Sequence, residues 1–159
     1  MVTIYTDGAA RGNPGPGGYG VVLLFDDGRG NTHRKELSQG YKNTTNNRME
    51  LLAVIRGLEA LNTPSEVELY SDSSYLVNAF NKDWLSSWKS NRWKKSDGKP
   101  VKNQDMWKCL DKLNKIHKIK FIWVKGHAGN TENERCDTLA VQAAESKDLI
   151  KDEPVTLKY

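Results

Sequence analysis

Val2-Thr-Ile-Tyr-Thr-Asp-Gly8 opens the chain with alternating apolar and polar positions and stops on an acidic residue beside a glycine. Alternation at period two predicts a half-buried strand over residues 2–6 and leaves Asp7 at its C-terminal end. Residues 10–18, Ala-Arg-Gly-Asn-Pro-Gly-Pro-Gly-Gly, are too rich in glycine and proline for helix or strand and predict a tight connecting loop. Residues 19–25 predict a second strand, 26–31 a turn and 32–41 a weaker third strand, together an antiparallel meander.

Downstream the period changes. Leu51, Val54, Ile55, Leu58 and Leu61 recur on one face of a helix over residues 47–61, and Pro64 follows its end. Residues 66–70 predict a fourth strand, which runs into Ser71-Asp72-Ser73 and a short helix through Phe80. One or two helical pieces follow, then a helix over 105–116, a fifth strand over 118–124, a loop over 125–130 and a last helix over 131–145. This order predicts an α/β fold: a five-stranded mixed sheet, antiparallel in its first three strands and then parallel, flanked by helices. One domain is expected over residues 1–145, with residues 146–159 an unassigned tail.

The 159 residues suit one domain, and 37% hydrophobic residues supply a core that needs no disulfide or metal staple. No apolar run approaches the ~18 residues of a membrane span, and the N-terminus lacks the basic and apolar regions of a secretory signal. Cys109 and Cys136 form neither a disulfide framework nor a C-x-x-C pattern, so a reducing, cytoplasmic setting is expected. Net charge is +4, yet residues 82–125 hold thirteen Lys/Arg against four Asp, together with all five tryptophans. Cations interleaved with flat aromatics suit a nucleic-acid backbone. The segment has no clean amphipathic stripe, which argues against a membrane surface.

Four carboxylates stand where a metal site would be built. Asp7 and Asp72 end predicted strands, the edge where open α/β sheets bind ligands, and neighbouring strands would bring them within a few ångströms. Glu50 lies in the first turn of the long helix and Asp137 early in the last. Each has an ordinary explanation: Asn47-Arg-Met-Glu50 fits a capping box, Asp7-Gly8 a turn and Asp72 an N-cap. Gathered together, these groups would repel one another unless a cation sat among them, and oxygen-only ligation favours Mg²⁺ or Mn²⁺ over zinc.

Thr6-Asp-Gly8, the loop from Gly12 to Gly20, Thr44-Thr-Asn-Asn-Arg-Met-Glu50, Ser71-Asp-Ser73, Trp123-Val-Lys-Gly-His-Ala-Gly129 and Glu132-Asn-Glu-Arg-Cys-Asp137 together resemble a type 1 ribonuclease H of the bacterial kind. The resemblance implies hydrolysis of the RNA strand of RNA–DNA hybrids with two Mg²⁺ ions, leaving 5′-phosphate and 3′-hydroxyl ends. It implies that Asp7, Glu50, Asp72 and Asp137 bind the metals, and it places His127 on a loop beside them. His127, flanked by Gly126, Ala128 and Gly129, fits proton transfer or product release, since imidazole titrates near neutral pH.

The same resemblance puts Asn13, Asn46, Asn47 and backbone groups near Ala10 along the RNA strand, where amides both donate to and accept from the 2′-hydroxyl. It assigns Thr45 and Asn103 to a pocket for a DNA-strand phosphate, and Trp84 and Trp88 to a DNA channel. Lys89, Lys94, Lys95, Lys99 and Lys102 would add salt-sensitive backbone attraction. Two departures stand out: the basic run after the second tryptophan thins to Lys89-Ser-Asn-Arg92, and Ser74 stands where relatives often have glutamine. With the catalytic strand beginning at Val2, no separate N-terminal hybrid-binding domain is expected, and a monomer is the expected state. Two rival readings are a non-catalytic hybrid-binding module, which should have lost a carboxylate, and a related DNA-acting nuclease, which leaves the amide-rich and tryptophan-rich segments unexplained.

Overall fold

The structure is a computed structural model that describes residues 1–126 and 129–156 of the 159-residue chain. Strand β1 (Val2–Ala10) pairs antiparallel with β2 (Gly15–Asp26), and β2 with β3 (Thr32–Thr44), the expected meander. Helix α1 (Asn46–Glu59) then crosses one sheet face, and β4 (Glu66–Ser71) returns parallel to β1. Three helices, α2 (Ser74–Asn81), α3 (Trp84–Ser90) and α4 (Gln104–Ile116), lead to β5 (Lys118–Trp123), parallel to β4. Helix α5 (Thr131–Ala144) follows, and β6 (Leu149–Ile150) pairs parallel with the outer side of β3. The strand order is β5-β4-β1-β2-β3-β6.

The sheet therefore has six strands among the described residues, not the expected five. The extra strand is two residues long, too short for a hydrophobic period to register. A larger correction concerns residues 10–18. Strand β1 runs through Asp7 to Ala10, and β2 starts at Gly15, so half of the expected loop is paired sheet, with Ala10 opposite Gly17 and Ala9 opposite Gly18. Glycine is rare inside strands unless another backbone comes close, and α5 does. A methyl group on Gly18 would lie 2.6 Å from the Ala140 carbonyl oxygen, and one on Gly20 or Gly40 would overlap the carbonyl of Cys136 or Ala143. The absent side chains form a trough in which α5 lies.

Helices on both faces bury the centre of β2 continuously, from Gly17 to Leu23, instead of in alternation. Ile4 and Val21 pack on Gly57 of α1, while Val22 meets Cys136 and Leu139 of α5. A second body of core is aromatic. Trp107 is fully buried, with Tyr75, Phe80 and Trp88 around it at ring-centroid distances of 5.2–6.2 Å. The N-cap of α1 is Thr45, whose hydroxyl accepts from the Arg48 N–H at 3.2 Å. Asn47 is therefore not the cap, and Glu50 is free of the capping-box role. Ser73, not Asp72, caps α2. Among the described residues no helix is long and apolar enough to cross a membrane.

Candidate metal centre and nucleic-acid interface

Register brings Asp7 and Asp72 together. The parallel β1–β4 ladder runs from Val2↔Val67 to Tyr5↔Tyr70, and the two aspartates stand two residues further along each chain. Parallel neighbours lie about 4.8 Å apart, and side chains alternate faces, so both carboxylates project on the face where the Tyr5 and Tyr70 rings stack. Pairing stops there because β4 turns away into α2, while β1 continues alongside β2.

The other two carboxylates arrive on helices, each admitted by a glycine. A methyl group at Gly8 would overlap the backbone of Met49 and Glu50, so the bare glycine lets the first turn of α1 touch β1 next to Asp7. Gly20 is the cross-strand partner of Asp7, and its missing side chain lets α5 approach at Cys136, which sets Asp137 beside Asp7. Carboxylate oxygens of Asp7, Glu50 and Asp72 lie within 4.8 Å of one another. Asp137 stands next to this trio, close enough to Asp7 to share a hydrogen bond.

Like charges crowd this pocket. Burial pushes the Asp7 carboxyl up to about 8, and repulsion from Asp72 and Asp137 adds to it, against one N–H from Gly8 at 2.9 Å. Glu50 is raised well above its ordinary value by burial and then by Asp7 and Asp72. Its Oε2 is buried without a hydrogen-bond partner. A buried acceptor left unsatisfied costs free energy unless something fills its coordination. The donor set is carboxylate oxygen throughout, with no histidine or thiolate among its described members, which fits a hard divalent cation. The Asp72 backbone is held in turn by the Trp123 indole N–H, which donates to its carbonyl at 3.1 Å.

Toward substrate, Asn13 and Asn47 are exposed, and the Asn46 side chain accepts from the Ala10 N–H at 2.6 Å, tying the start of α1 to the end of β1. Thr45 and Asn103, distant in sequence, both contact Arg48: Thr45 through its cap and Asn103 by accepting from the guanidinium at 3.2 Å. Trp84 is half-buried and tilted against Trp88, which is itself only 9% exposed within the aromatic core. Lys94, Lys99 and Lys102 are exposed, Lys89 pairs with Asp111 at 3.0 Å, and Lys95 lies 4.0 Å from Asp97. His127 lies outside the described residues.

Sequence reasoning overlooked one constellation. Arg48 pairs with Asp105 of α4 at 2.9 Å and with Asp152 of the tail at 2.8 Å. Arg48 stands within a quoted motif, but Asp152 follows no pattern, and only the fold joins the three. The residues after α5 are held by this contact: Val155 is buried, and its N–H donates to Asp105 at 2.9 Å.

Comparison with known proteins gives a consistent answer. The RNase H family matches residues 1–145. The chain is 58% identical over 152 residues to a ribonuclease H of Syntrophus aciditrophicus, covering 96% of this chain and 85% of that protein. It is 57% identical over 155 residues to a ribonuclease H of Lachnoclostridium phytofermentans, covering 97% and 98%. Among solved structures, LC11-RNase H1 in complex with RNA/DNA hybrid superposes with a TM-score of 0.68 at 30% identity, covering 91% of this chain and 97% of that one.

Proposed function

The chain belongs to the RNase H family and is an endoribonuclease for the RNA strand of RNA–DNA hybrids; we propose that Asp7, Glu50, Asp72 and Asp137 carry the reaction with two divalent cations, Mg²⁺ in the cell. One observation carries this reading: carboxylates of Asp7, Glu50 and Asp72, from three separate segments, meet within 4.8 Å. When bound, a pair of such cations supplies an activated water and neutralises charge on the scissile phosphate, so that 5′-phosphate and 3′-hydroxyl ends result.

The chain's own residues do the rest. Asp7, grouped with Glu50 and Asp72 and interacting with Asp137, is the residue that would serve both ions. Burial of Asp7, 5% exposed, strengthens the field at the centre of the cluster. Gly126, which precedes His127 in the sequence, approaches the metal centre: a methyl group there would lie 3.0 Å from an Asp72 carboxylate oxygen. We assign His127 proton transfer or product release.

Asn13, Asn46, Asn47 and the Ala10 backbone receive the RNA strand. Thr45 and Asn103 receive a DNA-strand phosphate, and Trp84, Trp88 and the lysines from Lys89 to Lys102 receive the remaining DNA backbone. Residues 1–145 form the catalytic domain, acting as a monomer in the cytoplasm. Incubation with hybrid, duplex RNA and duplex DNA, with Mg²⁺ or with chelator, tests the reading. Only hybrid should be cut, and only with metal. Cleavage that survives chelator, or equal cutting of duplex DNA, contradicts it.

A further inference from the structure

Arg48 has the position of a phosphate ligand, at the start of α1 between Thr45 and Asn103, yet it has nothing left to offer one. A guanidinium carries five N–H donors. Nε donates to Asp152 at 2.8 Å, Nη1 to Asn103 at 3.2 Å and Asp105 at 3.1 Å, and Nη2 to Asp105 at 2.9 Å and Asp152 at 3.3 Å. The acceptors are braced as well: Asp152 receives the Thr44 hydroxyl at 2.7 Å, and Asp105 receives the Val155 N–H at 2.9 Å. The Asp152 side chain is only 4% exposed.

Asn103 is the member of this cluster that looks outward. Its backbone is left-handed, at φ 61°, a conformation that asparagine tolerates better than most residues, and it lines an open cleft with Gln104 and Pro154. Its side-chain carbonyl is held by Arg48, which leaves only the amide N–H groups to meet a ligand. An amide free to flip would present donor or acceptor with little preference; one pinned through its oxygen presents donors alone, the polarity an anion requires.

We propose that Arg48, Asp105 and Asp152 are positioning residues that fix the Asn103 amide with its donors toward the DNA-strand phosphate, and that the segment after α5 is the strap that locks them. This rests on the assignment of Asn103 to that phosphate. The carboxylates also hold Arg48 in place as a spacer, so that α4 and the tail stand at a set distance from the first turn of α1.

The test measures hybrid binding in chelator, using a series of hybrids in which single DNA-strand phosphates are replaced by neutral methylphosphonates. Wild type should weaken about tenfold at one position, the loss of a hydrogen bond to a charged group, and Asn103→Ala should abolish that sensitivity. Asp152→Asn and Arg48→Lys, shown to be folded by cooperative urea unfolding, should reduce the sensitivity at the same position to about threefold or less. Asp152→Glu should restore it. In the presence of Mg²⁺ the same variants should raise KM with little change in kcat. Folded Asp152→Asn and Arg48→Lys proteins with undiminished sensitivity overturn the proposal while leaving the role of Asn103 intact. A wild-type scan with no sensitive position removes the phosphate assignment and the proposal with it.

Discussion

Two acidic clusters are built against the first turns of α1, two residues apart along the helix, and they differ in how their charge is met. At Arg48, two carboxylates enclose a guanidinium whose every donor is used, and Asp105 is held below its ordinary range, since Arg48 and the Val155 N–H outweigh its burial. At Glu50, three carboxylates crowd within 4.8 Å, and two are held above their ordinary range. The first cluster is complete and gives shape. The second crowds like charges that a bound cation would relieve, and perturbed carboxyls of this kind mark functional sites. Removing a carboxylate should therefore have opposite consequences in the two places.

The largest separation is expected in catalysis. Asp7→Asn should lower hybrid cleavage by about a thousandfold or more, as loss of a shared metal ligand removes most charge stabilisation of the transition state, while hybrid binding in chelator survives. Asp152→Asn should leave kcat within about twofold, because it touches no reacting atom. An active Asp7→Asn protein would erase the contrast.

Stability should separate next, and with opposite sign. Asp152→Ala breaks a buried pair and should cost about 3 kcal/mol in urea unfolding. Glu50→Gln, measured in chelator, should raise stability by about 1 kcal/mol by removing a buried carboxyl that crowds Asp7 and Asp72 and whose Oε2 has no hydrogen-bond partner. Gly20→Ala should cost about 2 kcal/mol, since its methyl forces α5 away from Asp7.

The smallest effect is a slope with pH. Asp7 has a folded value of about 8 against 3.8 unfolded, so the native state holds the extra proton between those limits. Its contribution is full at low pH and is lost as pH rises through the folded value. His117, lowered by burial from 6.5, acts in the other direction below that pH, which leaves the window above it clear. Chelated protein should lose stability from pH 6.5 to 9, Asp7→Asn should flatten the curve, and Mg²⁺ at pH 8 should restore the wild type alone. An unchanged slope in Asp7→Asn would place the titration elsewhere.

Much of this was legible in the sequence, for identifiable reasons. Helices α1, α4 and α5 and strands β4 and β5 fell within a few residues of expectation. Asp7, Glu50 and Asp72 were singled out because each stands near a predicted strand end or helix start, and the strand order brings their carboxylates within 4.8 Å. What escaped were features that exist only between elements. Gly17, Gly18 and Gly20 read as a loop because composition does not reveal that a helix backbone replaces the missing side chains. That Trp88, assigned to the DNA channel, also packs into an aromatic core with Trp107 and Tyr75 was not legible from its polar sequence context. Asp152 lies in a stretch with no periodicity, and its partners, Arg48 and Thr44, are more than a hundred residues away.

Manganese offers the most direct test, because it takes the same oxygen ligands as magnesium and its anomalous scattering locates it independently of any refined atom. Crystals of the protein soaked in Mn²⁺ should show anomalous density enclosed by Asp7, Glu50 and Asp72, and none at Arg48, Asp105 and Asp152. Density absent from the first cluster at saturating Mn²⁺, or unchanged there in Asp7→Asn crystals, would contradict the claim that these carboxylates are gathered to hold metal.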